Sequence, residues 1–586
     1  MAESIISPGV YTRENDISYI TPAPIQAGAA FVGPTVKGPQ DQPLVVTSYS
    51  DYVRKFGETY TSASNKQYEF LTSVAVKNYF QNGGQTALVT RVANGTYTAA
   101  SNTTITAAVT ASGAPFSIKT LGTGVIYNNS TSATATGSAY INTDGSLVSG
   151  SSDNLRWEIS NVNTALGTFT VAVRQGTDST NNKSVLETFN VNLDPSSDNY
   201  IEKVIGNQYV TVGTDGSTYY NYTVGEYPNS SNYIRVDAVN LLTNNYLAND
   251  GITVNKNASG VSYSGSLPVV SSGSFYGATG TVPATATFFQ AITGGVDAQG
   301  VAAADYTKAL SLLANKDEYQ FNIISTPGLL YSGGAGSFAG VVGQVIALAE
   351  ERGDCIAVVD LVPTGSIISN VTTAASTLNS SYAATYWPWL QIKSATGRNE
   401  WAPAGTVIPG VYAFTDASSA PWFAPAGLVR GGIGGVIQAE RKLTKGDRDT
   451  LYSAKVNPIA TFPGAGISVF GQKTLQTKSS ALDRVNVRRL LIELKKFIGD
   501  QSRNLVFEQN TIATRTKFLA TVNPYLESVV QRQGLYAYRV IMDDTNNTAD
   551  VVDRNQLVGQ ILIQPAKTVE FVVLDFTVEP TGTTFS

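Results

Sequence analysis

The residue types that usually carry enzyme chemistry are scarce in this sequence. Histidine is absent from all 586 positions, which excludes Ser-His-Asp and Cys-His nucleophilic centres and histidine-ligated metals. Cys355 is the single cysteine, so thiolate zinc and iron-sulfur sites are excluded as well. It opens the apolar run Cys355-Ile-Ala-Val-Val, which predicts a buried side chain rather than a reactive thiol. We therefore expect no catalytic residues, no metal site and no cofactor.

Two glycine-rich stretches approach nucleotide-binding motifs but fail on spacing. Gly466-Ile-Ser-Val-Phe-Gly471-Gln-Lys473-Thr474 resembles a phosphate-binding loop, yet a glutamine separates the glycine and lysine that must be adjacent. The glycines of Arg430-Gly-Gly-Ile-Gly-Gly435 lack the dinucleotide spacing and favour a turn with close backbone packing. A nucleotide-dependent enzyme using the region around Gly466 is therefore an alternative that has no proper motif.

One predicted helix, between Ser480 and Gly499, is the most informative surface. Its apolar residues recur at helical spacing: Val487, Leu490, Leu491, Leu494, Phe497 and Ile498. Its cations crowd the remaining surface: Arg484, Arg488, Arg489, Lys495 and Lys496. Ser480 with Asp483 predicts an N-terminal cap, and Gly499 predicts the C-terminal end. The apolar side must pack on a domain, whereas the basic side is either solvated or a docking face for an acidic protein.

The composition argues for a β-rich structural protein. Charged residues make up 14% of the chain, well below the roughly 25% of an average soluble protein, and Ser, Thr, Asn, Gly and Tyr replace them. The net charge of -5 gives no global field for nucleic acid or membrane binding. No basic leader and no run of roughly 18 apolar residues is present. We expect no membrane insertion and a protein that stays in a cytoplasm until assembly or lysis.

The order of predicted elements divides the chain into a multidomain α+β fold. Residues 1–25 predict an arm, because the strand-forming piece around Pro8, Gly9, Val10 and Tyr11 has no local core. Residues 26–92 and 288–396 predict one interrupted α/β domain, with helices over 66–81, 303–313 and 338–350. Its strands are predicted over 29–33, 44–47, 87–92, 321–324 and 356–360.

The middle and the end of the chain have different characters. Residues 93–287 predict one or two inserted all-β modules, because Asn-Gly and Asp-Gly turns separate short segments rich in β-branched and aromatic residues. Residues 397–565 predict an α+β domain with helices over 446–453 and 511–531 and a strand over 536–542. Residues 566–586 predict a strand arm that is apolar on both faces, so that it is either central in a sheet or covered by a partner. Its apolar residues are Val569, Phe571, Val573, Leu574 and Phe576.

Several short motifs of the last 190 residues resemble one known family in number and order. They include Ala424-Pro-Ala-Gly, Arg448-Asp-Thr-Leu-Tyr, Gly471-Gln-Lys-Thr, Asp483-Arg-Val-Asn-Val-Arg-Arg-Leu, Phe507-Glu-Gln-Asn, Asp553-Arg-Asn and Ile563-Gln-Pro-Ala. This region resembles that of the contractile tail sheath proteins of long-tailed bacteriophages, most closely the T-even type. Ser7-Pro-Gly-Val and Phe56-Gly match more loosely, and the middle β modules match no family.

The resemblance implies a structural subunit, not an enzyme. Sheath subunits stack as hexameric rings into a helical polymer around a tail tube, between a baseplate and a tail terminator. Contraction drives the tube through the host envelope. The resemblance implies assembly in the host cytoplasm, a place in the contractile tail of the virion, and no nucleic-acid partner. It also implies an α/β sheath core formed by the N- and C-terminal parts, with the β modules as an outer insertion.

In the family, both chain ends add strands to neighbouring subunits. The counterparts here are the arm from about Ile5 to Glu14, which contains Pro8, Gly9, Val10 and Tyr11, and the arm from about Lys567 to Val578. The cations of the 480–499 helix are then expected to face the tube. R-type bacteriocins and type VI secretion sheaths share this core and stay open as alternatives. A bacterial surface or adhesin-like protein would suit the β modules but would leave the basic C-terminal region unexplained.

Overall fold

A computed structural model describes residues 25–61, 67–109, 113–216, 218–282, 300–332 and 338–570 of the chain. The described residues contain both helices and strands, in agreement with the predicted mixed fold class. The helices are α1 (Tyr49–Phe56), α2 (Leu71–Gln81), α3 (Ile201–Ile205), α4 (Ala303–Leu312), α5 (Ala339–Arg352), α6 (Ile368–Ser376), α7 (Ile408–Ser418), α8 (Gly427–Arg430), α9 (Lys445–Ser453), α10 (Val485–Arg503), α11 (Ile512–Gln531) and α12 (Ala549–Asp553).

The strands form six sheets. They are β1 (Ile25–Gly33), β2 (Pro43–Val46), β3 (Thr59–Thr61), β4 (Gln67–Glu69), β5 (Ala87–Arg91), β6 (Ala99–Asn102), β7 (Phe116–Thr123), β8 (Leu155–Asn163), β9 (Thr168–Gln175), β10 (Val185–Asn192), β11 (Tyr209–Asp215), β12 (Thr218–Val224), β13 (Ile234–Val239), β14 (Ser271–Tyr276), β15 (Tyr319–Leu330), β16 (Ile356–Asp360), β17 (Ala383–Trp387), β18 (Leu390–Lys393), β19 (Asn399–Ala402), β20 (Val436–Ala439), β21 (Asn457–Phe462), β22 (Gly466–Val469), β23 (Leu535–Ile541) and β24 (Gln560–Pro565).

The largest sheet joins strands from widely separated parts of the sequence. Its order is β2-β5-β1-β15-β16-β17-β21-β22, and all neighbouring pairs are parallel except the two edge pairs. β5, β16 and β17 are buried along their whole length, as expected for parallel strands covered on both faces. β21 and β22 belong to this sheet although they lie beyond residue 396, the predicted end of the α/β domain. The domain division itself stays a prediction.

Helices cover both faces of this sheet. Alternate residues of β16 point to opposite sides: Ala357 and Val359 pack with α4, α5 and α6, whereas Ile356 and Val358 pack with α1, α2 and α7. Cys355 lies in the first of these cores and is fully buried, and burial raises the pKa of its thiol. The prediction of a buried cysteine is confirmed.

A seven-stranded antiparallel sheet occupies the middle of the chain, in the order β10-β9-β8-β14-β6-β7-β13. Its core contains Trp157, Phe116 and Phe169, and the last two rings stack at 5.5 Å. The buried Trp157 indole donates to the Ser274 carbonyl at 3.1 Å. Strands predicted from aromatic and β-branched residues are therefore present here, and the number of modules stays a prediction.

Three predicted helix boundaries are wrong. α10 does not end at Gly499 but continues to Arg503, because an interior glycine costs only about 1 kcal/mol and Phe497, just before it, stacks on Tyr525 of α11. Ser480 caps a separate 3₁₀ turn over Ala481–Asp483, where its side chain accepts from the Leu482 amide, rather than the helix itself. The helix predicted over 66–81 begins at Leu71, since Gln67–Glu69 pairs with β3.

Candidate functional site

Helix α10 is buried on two opposite sides. Val485 and Ile492 pack into the core beneath the eight-stranded sheet. Leu490 and Leu494 pack into a second cluster with α11, and the Phe497 ring stacks on Tyr525 with centroids 3.7 Å apart. The helix therefore joins the large sheet to the C-terminal cluster and has less free surface than the sequence pattern suggests.

Arg489 points into the protein. It is 3% exposed, and its Nη2 donates to both carboxylate oxygens of Asp416 on α7, at 2.8 and 2.5 Å. Its guanidinium also lies 4.7 Å from the centre of the Tyr412 ring. Burial raises the pKa of the Asp416 carboxyl, and the positive charge of Arg489 opposes that rise. This cation is a structural link between two helices.

Arg488 is also internal, with 4% exposure. Its Nε donates to the Ser381 carbonyl at 3.2 Å, and its guanidinium stacks 4.0 Å from the centre of the Tyr382 ring. The interpretation of α10 as a helix with one open basic face is therefore wrong for Arg488 and Arg489. Their partners lie 107 and 73 residues away in sequence, respectively, so periodicity within the helix could not reveal them.

Lys495 and Lys496 are the predicted cations that stay at the surface. Lys495 is exposed and donates to the Tyr382 hydroxyl at 3.3 Å, and Lys496 is partly exposed. Neither forms an ion pair within the part of the chain that the structure describes. Arg503, at the end of the same helix, pairs with Asp317 at 2.9 Å. The contact with a tube stays a prediction, and it now concerns these two lysines.

Arg484 begins α10 and pairs with two acidic residues. It contacts Asp483 at 2.9 Å and Glu570 at 2.6 Å. Glu570 lies in the stretch that was predicted to be an apolar strand arm, and its role had no sequence signal. Val569 beside it is 81% exposed and lies in no strand of the described chain. The other predicted arm residues lie outside the described residues: Pro8, Gly9, Val10, Tyr11, Phe571, Val573, Leu574 and Phe576.

A two-stranded antiparallel sheet, β23 with β24, lies in the C-terminal region. Within the described ranges, neither strand pairs with a third one, so each has an outer edge of unpaired backbone groups. Tyr536 and Leu562 on these strands are exposed. An isolated two-stranded sheet is marginally stable, and open edges are templates for added strands. This sheet can accept one strand on each side.

Exposed apolar side chains are also frequent in the C-terminal region. Phe507 is fully exposed and has a φ of 70°, which is a strained conformation for this residue. Other large apolar residues with at least 45% exposure here are Leu428, Val429, Ile437, Phe470, Val506, Ile512, Tyr536, Leu562 and Val569. Apolar residues that form a continuous exposed patch mark a protein–protein interface, whereas single exposed ones are common on any protein surface.

The glycine-rich stretches show no nucleotide-binding geometry. Gly466–Val469 is edge strand β22 rather than a loop before a helix, and Lys473 Nζ donates to the Tyr452 carbonyl at 2.8 Å. A Cβ on Gly431 would lie 2.7 Å from the Val469 carbonyl, which fits the predicted close backbone packing. In the described residues, no cluster of acidic and cysteine side chains could hold a metal ion, and no helix is long and apolar enough to span a membrane.

Comparison with known proteins supplies the family. A family model described as the phage tail sheath protein central domain matches residues 299–475, and one described as the phage tail sheath C-terminal domain matches residues 477–579. Residues 299–475 and 477–579 therefore match the two domains of the phage tail sheath family. The resemblance predicted from the C-terminal motifs is confirmed.

Two curated sheath relatives match over the same part. The tail sheath protein of Vibrio phage KVP40 is 38% identical over 217 residues, which cover 37% of this chain and 31% of the relative. That of Enterobacteria phage T4 is 40% identical over 187 residues, which cover 32% of this chain and 28% of the relative. The matches thus span less than a third of each sheath relative.

A solved sheath structure extends the likeness to the fold. The sheath tail protein from Listeria innocua aligns with a TM-score of 0.50 over 92% of this chain and 95% of that one. Its sequence identity is 11%, so the likeness concerns the fold alone.

Proposed function

We propose that this chain is the structural subunit of a contractile tail sheath. It polymerises in stacked hexameric rings around a tail tube and shortens to drive the tube through a host envelope. The observation that carries the proposal is the match of residues 299–579 to both sheath domains, together with a sheet in that region that has two open edges. The proposal assigns no enzymatic step to the chain.

The open edges of β23 and β24 suit strand exchange between copies. The sequence predicts strands in residues 1–25 and 566–586, and among the described residues no third strand pairs with β23 or β24. In the proposed polymer, arms from neighbouring subunits complete this sheet through main-chain hydrogen bonds. Exposed Tyr536 and Leu562 would then become buried beneath the added strands and their neighbours.

Such a mesh allows contraction without dissociation. Subunit bodies move as rigid units between two packings, while the strands that link them stay paired. α10 suits a rigid body because it is fixed both to the large sheet and to the C-terminal cluster. The energy for the change comes from better packing in the short form, so no nucleotide is needed.

In the proposed sheath, each part of the subunit has a place relative to the tube and to the outside. The large sheet and the C-terminal cluster form the sheath core, and the seven-stranded sheet over 93–287 decorates its outside. Lys495 and Lys496 contact the tube. A baseplate lies at one end of the polymer and a terminator at the other, and the assembled protein is part of a virion tail. The second candidate is the sheath of a bacteriocin or secretion system, because such sheaths share this core. The two candidates are distinguished by testing which kind of tube the purified sheath binds.

Removal of the N-terminal arm tests the strand exchange. A chain lacking residues 1–16 should remain monomeric at concentrations where the full chain pellets as polymer, because one edge of each β23–β24 sheet stays vacant. Analytical ultracentrifugation and electron microscopy report this directly. Thermal unfolding checks that the shortened monomer is folded. Polymer of normal length from the shortened chain would contradict the role of this arm.

A further inference from the structure

Glu570 occupies a carboxylate-binding site built by its own chain. Arg484 donates from Nε to Oε1 at 2.6 Å and from Nη2 to Oε2 at 3.0 Å, a bidentate contact. Gln472 Nε2 donates to Oε1 at 3.0 Å, and the Tyr452 hydroxyl donates to Oε2 at 2.9 Å. Each oxygen of Glu570 thus accepts two hydrogen bonds. Burial alone would raise the pKa of Glu570, but these donors hold the pKa below its ordinary value.

The donors are held in place independently of Glu570. Gln472 is 3% exposed, and a backbone bridge joins its neighbour Lys473 to Arg484. Lys473 Nζ donates to the Tyr452 carbonyl and lies 4.4 Å from the centre of the Tyr452 ring. The Lys473 amide donates to the Asn457 side chain at 2.6 Å. The site is therefore a formed receptor for a carboxylate and not a chance surface ion pair.

The chain segment that carries Glu570 is attached at two further points. The Ala566 amide donates to the Gly534 carbonyl at 3.1 Å, directly after β24. Gln472 Nε2 also donates to the Thr568 hydroxyl. Residues 566, 568 and 570 thus contact the body of the same chain in succession. Three separate contacts must break before this segment can leave.

The receptor also connects the two family domains. Tyr452 and Gln472 lie in the stretch matched by the central sheath domain, whereas Arg484 and Glu570 lie in the stretch matched by the C-terminal domain. Arg484 is also the residue at which α10 begins. A pull on the segment beyond Glu570 would therefore act on both domains and on the start of this helix.

The geometry points to an anchor. The site formed by Tyr452, Gln472 and Arg484 keeps residues 566–570 on their own subunit before and after polymerisation, and only the chain beyond Glu570 crosses to a neighbour. This inference rests on the proposed function. It differs from exchange of the whole C-terminal arm, in which Glu570 would occupy the receptor of another copy.

Crosslinking distinguishes the two arrangements. The full chain with Gln472→Cys and Thr568→Cys is treated with a short bifunctional thiol reagent as monomer and as pelleted polymer. Non-reducing gels should show an intrachain product in both states. A mixed polymer of the two single variants should show no dimer band. Cys355 is buried and stays unreactive. Thr98→Cys with Thr279→Cys is the positive control, because these hydroxyls lie 3.0 Å apart.

Each outcome decides one question. A ladder of interchain products in the polymer overturns the anchor, because the segment has then exchanged. Gln472→Cys removes one of the four hydrogen bonds to Glu570, but those from Arg484 and Tyr452 remain and should still hold the segment. Absence of the intrachain product in the monomer, while the control pair reacts, therefore also overturns the anchor. Failure of the unmodified chain to polymerise contradicts the proposed sheath function instead. The intrachain crosslink in the monomer does not depend on polymerisation and still tests the anchor.

A second variant tests the carboxylate itself. Glu570→Gln removes the charge and should make amide hydrogen exchange over residues 566–570 about tenfold faster, because the segment detaches more often. Glu527→Gln, on the exposed side of α11, is the matched control and should leave this exchange unchanged. Unchanged exchange in Glu570→Gln would mean that the receptor does not hold the segment.

Discussion

Arg489 on α10 donates to both carboxylate oxygens of Asp416 on α7, at 2.8 and 2.5 Å, and this pair fixes the C-terminal helix to the large sheet. The contact connects residues 73 positions apart. α7 packs against α2, and α10 packs against α11, so the pair lies between the two halves of the proposed sheath core. A subunit that moves as one body needs such a joint to be rigid.

Asp416→Asn should destabilise the monomer by about 2 kcal/mol, since it leaves Arg489 buried without a counterion. A fully buried pair would lose about 3–5 kcal/mol, and the partial exposure of Asp416 reduces the loss. Asp550→Asn is the control, because its pair with Arg554 is exposed and should matter by less than about 0.5 kcal/mol. Urea unfolding measures both. Equal effects of the two substitutions would contradict a structural role for the buried pair.

The buried carboxyl of Asp360 should make the stability of the protein depend on pH. It is fully buried at the end of β16, accepts one hydrogen bond from the Gly405 amide at 2.8 Å, and burial raises its pKa to about 7. The pKa of an unfolded Asp is about 3.9, so the folded state binds more protons between about pH 4 and 7. Stability therefore falls as pH rises through this window, by roughly 4 kcal/mol in total.

Asp360→Asn removes this titration. The variant should gain stability relative to the wild type between pH 5 and pH 8, where the wild-type carboxyl becomes charged. Urea unfolding at both pH values gives the change in the free energy of unfolding for each protein. A pH-independent effect of the substitution is the same at both pH values and therefore cancels. Parallel changes in the two proteins would show that the Asp360 carboxyl does not titrate in this range.

Lys495→Glu with Lys496→Glu should weaken binding to the tail tube by at least about tenfold, because an acidic tube surface would then be repelled. The folded monomer should be unaffected, since neither lysine is buried. Lys517→Glu on α11 is a matched charge reversal on an exposed residue. Co-sedimentation with purified tubes at low salt measures the effect. Equal binding of the double variant and the control variant to the tube would show that α10 does not contact the tube through these lysines.

Phe507→Gly should impair polymerisation while leaving the monomer folded. Glycine accepts the positive φ of this position, so monomer stability should change by less than about 1 kcal/mol. Loss of a buried Phe from a contact between copies costs about 2 kcal/mol, which raises the critical concentration more than tenfold. Leu166→Ser, an exposed apolar residue between β8 and β9, is the control. An unchanged critical concentration would place Phe507 outside the interface.

Local sequence signals were sufficient for some regular elements but not for others. β16 has the bounds predicted from its apolar run, and α11 lies within one residue of its prediction. α7 was not predicted, because Pro409 and Gly410 argue against a helix. Its first turn accommodates the proline, and the glycine allows close approach, since a Cβ there would lie 2.1 Å from Asn78 Oδ1. Tertiary packing decided this helix.

The candidate surfaces were less predictable than the fold. The burial of Arg488 and Arg489 depends on Ser381 and Asp416, whose positions follow from the sheet and not from the helix sequence. The carboxylate site of Glu570 likewise unites residues from four separate segments. Family motifs located the region correctly, but the contacts of each charged residue became visible only once the chain was folded.

Electron cryo-microscopy of the purified full chain shows whether it forms a sheath. We expect hollow tubes of uniform width, with six subunits per ring and with β23 and β24 extended on both edges by strands from neighbouring subunits. Monomers at every concentration with both arms intact would contradict the sheath function. Tubes in which the β23–β24 sheet stays two-stranded would contradict the strand exchange that is proposed to link them.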